Sequence, residues 1–201
     1  RGELTGKLAL QGFADAPVLV WRLQAQPLAD GDTHVRALVT APGLSAELEF
    51  NVAAADGAVT WRLDQGQIDL ARWWRPMAVR MGLNASMPGD LSAGGRLNLK
   101  GEGRWTEAGI AGTISFDGAD VSLGSVEQNW SVPALKLNAR VELASRGVIL
   151  RKLQLNVPKA IVAGLELTDA TLVATGDTPH QVAVTQASIA LLHGTLALQP
   201  F

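Results

Sequence analysis

Three histidines have the greatest capacity for chemistry in this chain, but their spacing does not indicate a metal site. His34, His180 and His193 are far apart, and none has a second histidine at the short spacing that metal ligands usually show. His34 and His193 lie next to glycine-containing turn sequences, which favours surface or turn positions. The chain contains no cysteine, which excludes a thiolate metal site and a disulfide scaffold. We therefore expect no metal and no cofactor.

Two short segments resemble catalytic motifs, and each lacks a required residue. The GLSA segment at 43–46 begins like the nucleophile elbow G-x-S-x-G, but Glu47 occupies the position of the second glycine. The GEG segment at 101–103 begins like a dinucleotide-binding loop, but Thr106 occupies the third glycine position. This segment also lies inside an alternating strand, where glycines that let the strand bend are the better explanation. We expect no catalytic residue and no enzymatic activity.

The elements that would position any site are β-strands with a two-residue rhythm. In RLNLKGEGRW (96–105), Leu97 and Leu99 alternate with charged and amide side chains, and LKLNARVEL (135–143) repeats the pattern. Successive side chains of a strand point to opposite faces, so each segment has one apolar and one polar surface. The chain is therefore predicted to be all-β, a long antiparallel meander with turns at signals such as Asp117-Gly118.

Composition limits the classes of partner. The chain has 17 Lys and Arg against 19 Asp and Glu, it has no tyrosine, and no basic patch speaks for nucleic acid. Hydrophobic residues make up 47% of the 201 residues, yet no apolar run approaches the ~18 residues that a membrane helix needs. The apolar residues are therefore spread over alternating strands.

Helical spacing of apolar residues occurs at one place, between residues 70 and 81. The apolar positions there are Leu70, Trp73, Trp74, Met77 and Met81. Asp69 is a candidate N-cap, and Pro76 predicts a kink or an end near Arg75. The tryptophans permit an interfacial membrane helix, but such helices usually have a large basic face. Packing against an open end or edge of the sheet is therefore favoured.

The predicted helix divides the chain into segments. We expect an N-terminal β-meander at 1–66, a short helix and loop at 67–90, and a second meander at 91–201 that continues the same groove. No signal peptide is present, and both ends adjoin predicted strands. We expect the whole chain to be a fragment of a longer protein.

The apolar faces of the strands must be covered by something. Two sheets could pack as a sandwich, the sheet could close into a barrel, or it could curl into an open trough that leaves its inner face for a ligand. The alternating pattern alone slightly favours the sandwich over the other two arrangements. A trough needs a continuous aliphatic lining without buried charge. The candidate lining residues are Leu97, Leu99, Ile114, Phe116, Leu135, Leu137, Val141, Leu143, Leu153, Leu155, Leu165, Leu167, Leu196 and Leu198.

Several segments resemble the YdbH branch of the AsmA-like bacterial envelope proteins. QIDLARWWRPMAVRMGLNASMPGDLSAGGRLNLKGEGRW (67–105) is similar to the part of AsmA-like proteins where a short helix and a breaker loop precede a G-G-x-L-x-L strand. GIAGTISFDGADVSLGS, AGLELTDATLVAT and the closing ASIALLHGTLALQPF are similar to the YdbH branch. In the last segment His193-Gly194 stands where family members commonly carry two glycines. The resemblance covers roughly 66–201.

The resemblance implies a function in the Gram-negative cell envelope. Such proteins are anchored in the inner membrane, here through a part that is not in this chain, and their repeating β-groove carries phospholipid across the periplasm to the outer membrane. It also implies a partner, a small outer-membrane lipoprotein of the YnbE type that adds strands to an exposed sheet edge. The alternative is a structural or protein-binding β-sandwich of the envelope with no lipid ligand.

Overall fold

The computed structural model describes residues 2–9, 18–80, 90–145, 147–179, 181–191 and 194–198. Within these residues, thirteen strands form one antiparallel sheet, accompanied by one short helix, and this confirms the predicted all-β meander. The strands are β1 (Gly2–Leu8), β2 (Leu19–Pro27), β3 (Thr33–Ala41), β4 (Leu44–Val52), β5 (Val59–Asp69), β6 (Ser92–Gly94), β7 (Arg96–Thr106), β8 (Gly109–Ser125), β9 (Trp130–Ala144), β10 (Gly147–Val162), β11 (Leu165–Thr175), β12 (Ala183–Leu191) and β13 (Gly194–Leu198). The alternating pattern also predicts a strand at 3–13, and residues 10–13 of that strand lie outside the described residues.

The strands follow one another across the sheet almost in chain order. β5 pairs with β7, and β6 pairs instead with the later part of β8. β1 and β13 form the two ends of the sheet, which is not closed. A sandwich needs two packed sheets and a barrel needs paired end strands. Since the described strands form one open sheet, the sandwich that the pattern left ahead is wrong.

The two faces of the sheet differ in exposure. Along β7, Leu97 and Leu99 are half-buried, whereas Arg96, Asn98 and Lys100 are exposed. On the side of the sheet with Leu97 and Leu99, the side chains are thus partly covered, whereas those on the other side extend into water. The chain nevertheless has a solvent-accessible area of 12966 Å² at 21.2 kDa, where a compact monomer of this mass exposes about 9,100 Å². The apolar side of the sheet is therefore partly covered and not enclosed.

Register shifts bend several strands. One of them, between Gly118 and Val121 in the pairing of β8 with β9, lies where a turn was predicted. The prediction of a turn at Asp117-Gly118 is wrong, because β8 runs through these two residues. Asp117 accepts a hydrogen bond at 3.4 Å from Nδ2 of Asn138 on the neighbouring strand β9. A bulge adds a residue to one strand and increases its local bend. These irregularities supply the curvature that the alternating pattern does not encode.

Helix α1 (Leu70–Arg80) follows β5 directly. The carboxylate of Asp69 accepts a hydrogen bond from the backbone N–H of Ala71 at 3.0 Å, which confirms the predicted N-cap. The helix continues past Pro76 and does not end near Arg75. A proline inside a helix removes one intrahelical hydrogen bond, and α1 continues for four residues after Pro76 despite the missing bond.

The first turn of α1 packs on the sheet. Leu70, Val121 and Leu135 form a buried cluster with exposed fractions of 5%, 2% and 3%. Trp73 is also buried, and its indole Nε1–H donates to the backbone oxygen of Pro42 at 3.1 Å. The favoured interpretation of this helix as sheet packing is confirmed for both residues. In the described part of the chain, the structure contains no helix long and apolar enough to span a membrane.

Candidate functional site

One continuous apolar face extends across the sheet. Directly opposed residues of neighbouring antiparallel strands point to the same side. Starting from Leu99 on β7, the register leads to Gly66 on β5 in one direction and to Phe116, Ala139 and Leu153 in the other. Along the described strands this face, here called the apolar face, reaches from β1 to β13, and none of its residues with a register partner is charged. Such a surface binds by exclusion of water, without directional contacts.

The structure brings the predicted lining residues onto this one face. Ten of them are half-buried: Leu97, Leu99, Ile114, Phe116, Leu137, Val141, Leu143, Leu153, Leu155 and Leu167. Leu165 and Leu196 are exposed, at 56% and 62%. Leu198 takes the register position opposite Ala187. Leu135 differs from the others, because Leu70 covers it and makes it part of the protein core.

The apolar face is larger than the predicted lining. It includes strands β1–β5, whose residues on this side were not among the candidates. These residues include Leu4, Trp21, Leu23, Val39, Leu48, Phe50, Trp61 and Leu63. The same alternation that marked Leu97 and Leu99 is present in VWRLQAQ (20–26) and AELEFNV (46–52). Applying that pattern to the whole chain would have found them.

Two tryptophans lie flat on glycines of neighbouring strands. A Cβ atom built on Gly103 would lie 2.6 Å from Cζ2 of Trp61, and one on Gly112 would lie 2.7 Å from the same atom. Trp21 covers Gly6 in the same way. The indole N–H of Trp61 is buried without a hydrogen-bond partner among the described residues. The glycines of the GEG segment therefore make room for an indole ring.

The opposite face, here called the polar face, carries cross-strand ion pairs. Arg36 and Glu49 are 3.1 Å apart, and Lys159 and Glu166 are 2.6 Å apart. Opposite charges across neighbouring strands help to hold the register of those strands. The charges therefore lie on the side of the sheet that meets water.

Arg151 and Glu142 form a further ion pair on the polar face, with 2.7 Å between Nε and Oε2. The hydrogen bond from Arg151 lowers the pKa of Glu142, and the same bond raises the pKa of Arg151. Both groups therefore remain charged, and they stay in water rather than on the apolar face.

A polar cluster holds the turn after β8. The Asp90 carboxylate accepts the backbone N–H of Glu127 at 2.8 Å and the hydroxyl of Ser125 at 2.7 Å. These two bonds, the first the larger contribution, hold the pKa of Asp90 below its usual value. Ser125 is 3% exposed and also accepts the N–H of Gln128 at 3.1 Å. The cluster therefore fixes the turn between β8 and β9, and its hydroxyl and carboxylate are engaged in these hydrogen bonds.

His34 is the histidine that the structure describes. His34 lies on the polar face, where its Nδ1 is 2.7 Å from Oδ1 of Asn51. His180 and His193 lie outside the described residues. No group of three or more His, Cys, Asp or Glu able to hold a metal occurs in the described ranges. In the part of the chain that the structure describes, the extended feature available to a ligand is the apolar face.

A comparison with protein families identifies what kind of protein has this face. A family model described as YdbH-like, intermembrane phospholipid transport protein YdbH, matches residues 2–201. The chain belongs to the YdbH-like family. The match includes residues 2–65, so the YdbH-like assignment extends over the N-terminal strands as well. No curated protein and no solved structure matches the chain.

Membership of the YdbH-like family gives the apolar face its context. The family is one of intermembrane phospholipid transport, so phospholipid is the expected cargo. Phospholipid tails are apolar, and a face without charge over twelve consecutive strands is a surface on which they can lie. The family and the geometry therefore point to the same class of ligand.

Proposed function

We propose that this YdbH-like chain is a segment of a periplasm-spanning bridge whose apolar face carries phospholipid acyl chains between the inner and outer membranes. The observation that supports the proposal is the single uncharged face, which no second sheet covers within the described residues. The lining consists of the predicted residues other than Leu135, together with their counterparts on β1–β5. The chain carries lipid and performs no catalysis.

The dimensions of the face suit this cargo. Twelve strands in line, about 4.8 Å apart, give a length of roughly 50 Å, and nine-residue strands such as β2 are about 30 Å long. One leaflet contributes about half of the ~30 Å hydrocarbon core of a bilayer, which sets the length of a tail at about 15 Å. Several tails therefore fit along the face.

The energetics suit transport. Burial of apolar area contributes about 25 cal/mol per Å², or about 0.8 kcal/mol for each methylene group. This stabilisation is not directional, so a tail can move along the face without breaking specific contacts. A charge on the path would interrupt this uniform surface, because an unpaired charge is costly to bury against hydrocarbon.

The two end strands support the proposed assembly. β1 and β13 each pair with one neighbour in the described sheet, and Leu4 and Leu8 on β1 are 66% and 51% exposed. An end strand offers unpaired backbone groups to a further strand. A small outer-membrane lipoprotein of the YnbE type adds a strand at such an edge, and a part of the protein outside this chain anchors the bridge in the inner membrane.

Lipid extraction and native mass spectrometry of the purified chain test the proposal. The chain is mixed with phosphatidylethanolamine vesicles, re-isolated and analysed for bound lipid. We expect bound phospholipid in the native chain. The Leu99→Asp/Leu153→Asp variant should lose it, because both residues are half-buried on the apolar face.

A matched control separates lipid binding from folding. The Ser115→Asp/Gln154→Asp variant introduces the same two charges at exposed positions of the polar face and should retain lipid. Circular dichroism should show strand content equal to the native chain in both variants. The proposal is wrong if the native chain retains no lipid, or if both folded variants retain it equally.

A further inference from the structure

The apolar face has two unlike rims, and their charges differ. The helix rim consists of the 41–44 turn, α1 and the turns at 125–130 and 162–165. The turn rim on the opposite side consists of the turns at 27–33, 52–59, 106–109, 144–147 and 175–183. A phospholipid on the face places its headgroup over one rim or the other, so charge at the rims bears on its orientation.

Charged residues in the described turns of the turn rim are all acidic. They are Asp30, Asp32, Asp56, Glu107 and Asp177. Two arginines of the adjoining strands each lie near one of these carboxylates: Arg104 is 3.3 Å from Asp56 and Arg151 is 3.9 Å from Asp177. Arg146 and His180 belong to this rim by sequence and lie outside the described residues. Excess carboxylate repels a phosphate group.

Helix α1 presents two guanidinium groups at the other rim. Arg72 and Arg75 are exposed and are three residues apart, which places them on one side of the helix. Neither forms an ion pair with any residue that the structure describes. Guanidinium groups bind phosphate oxygens through charge-assisted hydrogen bonds. Both groups are therefore available to an anionic ligand.

Acidic groups at the helix rim are largely engaged with the protein. Asp69 accepts the N–H of Ala71, and Asp90 accepts two hydrogen bonds from the 125–127 turn. Glu127 is the exposed carboxylate of that turn. The two unpaired guanidinium groups of the helix rim therefore lie together on α1, whereas the charged residues in the described turns of the turn rim are all acidic.

The position of α1 links the two arginines to the apolar face. Leu70 is buried against Val121 and Leu135 of that face, and Arg72 follows two residues later. The hydrogen bond from Trp73 to Pro42 fixes the same turn of the helix on the 41–44 turn. The guanidinium groups are thus held at the boundary between an apolar surface and water, where the phosphate of a bound lipid must lie.

Resting on the proposed function, we propose that bound phospholipids are oriented, with their phosphate groups at Arg72 and Arg75 on the helix rim and their tails directed toward the turn rim. The ligand class is a diacyl lipid with a phosphate in its headgroup. A neutral diacylglycerol shares the tails and lacks the group that the arginines bind.

Competition of phosphatidylglycerol with diacylglycerol, in vesicles that also contain phosphatidylethanolamine, tests the inference. The chain is mixed with vesicles of phosphatidylethanolamine, phosphatidylglycerol and diacylglycerol with identical acyl chains, and the bound lipids are quantified. The Arg72→Glu/Arg75→Glu variant should lower the ratio of bound phosphatidylglycerol to diacylglycerol by about tenfold or more. The Arg140→Glu/Lys152→Glu variant, with the same charge change at exposed polar-face positions, should leave the ratio unchanged.

Fluorescence quenching tests the orientation without altering the arginines. Because the chain has no cysteine, Ala71→Cys on α1 and Ala108→Cys on the turn rim can each carry a single fluorophore, and both positions are exposed. A phospholipid with a nitroxide on its headgroup should quench the label at 71 more strongly than the label at 108. Equal quenching, or an unchanged lipid ratio in the arginine variant, overturns the orientation. Failure to retain either lipid overturns the proposed function instead.

Discussion

The indole ring of Trp61 lies over Gly103, the residue directly opposed to it across β5 and β7. The ring extends to Gly112 on β8, so one side chain covers parts of three strands. The bare backbone of the glycines lets the ring lie flat and keeps the apolar face smooth at this point. Any side chain at Gly103 would be too close to both the ring and the backbone oxygen of Ala111.

A methyl group at Gly103 should therefore destabilise the sheet. We expect Gly103→Ala to lower the free energy of unfolding by about 1–3 kcal/mol, the usual effect of overpacking. Gly124→Ala is the control, since its Cβ would make only ordinary contacts of 3.4 Å or more. Urea unfolding midpoints measure the difference in stability between the two variants, provided that the dependence of the unfolding free energy on urea concentration is unchanged. Equal midpoints for the two variants would contradict the close contact.

Truncation of leucines should distinguish the core from the open face. Leu135→Ala should cost about 2–5 kcal/mol of unfolding free energy, because Leu70 and Val121 enclose the site and a cavity would remain. Leu153→Ala should cost only about 1 kcal/mol, because this half-buried side chain lies on an open surface and leaves no enclosed cavity. Thermal and urea unfolding measure both. Similar large losses would show that the face is closed by packed side chains.

Removal of the Trp73 hydrogen bond should loosen α1. Trp73→Phe keeps an aromatic ring but deletes the Nε1–H that donates to Pro42 O at 3.1 Å. We expect a loss of about 0.5–1.5 kcal/mol, and faster amide hydrogen exchange in α1 and the 41–44 turn. Trp74→Phe serves as the control, because no hydrogen bond of its indole is formed with the described residues. Unchanged exchange in the Trp73 variant would show that the bond does not hold the helix.

Asp90 should make stability depend on pH in acid. Its pKa in the folded chain is below the usual 3.8, so folding favours the ionised carboxylate. The resulting stabilisation is complete above that usual value and is lost as the pH falls through the lower, folded pKa. Asp90→Asn should therefore be less stable than the native chain at neutral pH, and the difference should shrink below about pH 4.

Urea unfolding between neutral pH and pH 2 measures this dependence for the native chain and the Asp90→Asn variant. Glu107→Gln provides the control, since Glu107 is an exposed carboxylate of the 106–109 turn. The free energy of unfolding of the Glu107→Gln variant should differ little from that of the native chain over the whole pH range. If the difference in unfolding free energy between Asp90→Asn and the native chain stayed constant down to pH 2, ionised Asp90 would not be the source of the stabilisation.

Local pattern was sufficient for much of this molecule. The alternation around Leu97 and Leu99 predicted strands with one apolar face, and helical spacing with Asp69 predicted α1 and its cap. The twelve candidates from Leu97 to Leu167, together with Leu196 and Leu198, take register positions on one face, because side chains alternate between the two faces along each strand. The division at 67–90 stays a prediction, although β5 pairs directly with β7 across it.

Contacts between distant segments decided the rest. The alternating pattern predicts that one face is apolar, but it does not reveal what covers that face. For this reason the pattern favoured a sandwich over an open sheet. Curvature depends on bulges such as the one after Gly118, and the covering of Leu135 depends on where α1 lands. Likewise, the partner of Gly103 is Trp61, which no local spacing could reveal. The sequence by itself determined the strands and their two faces, because side-chain direction follows from strand periodicity. Only the tertiary structure decided that the apolar face stays open, because that outcome depends on the path of the whole sheet.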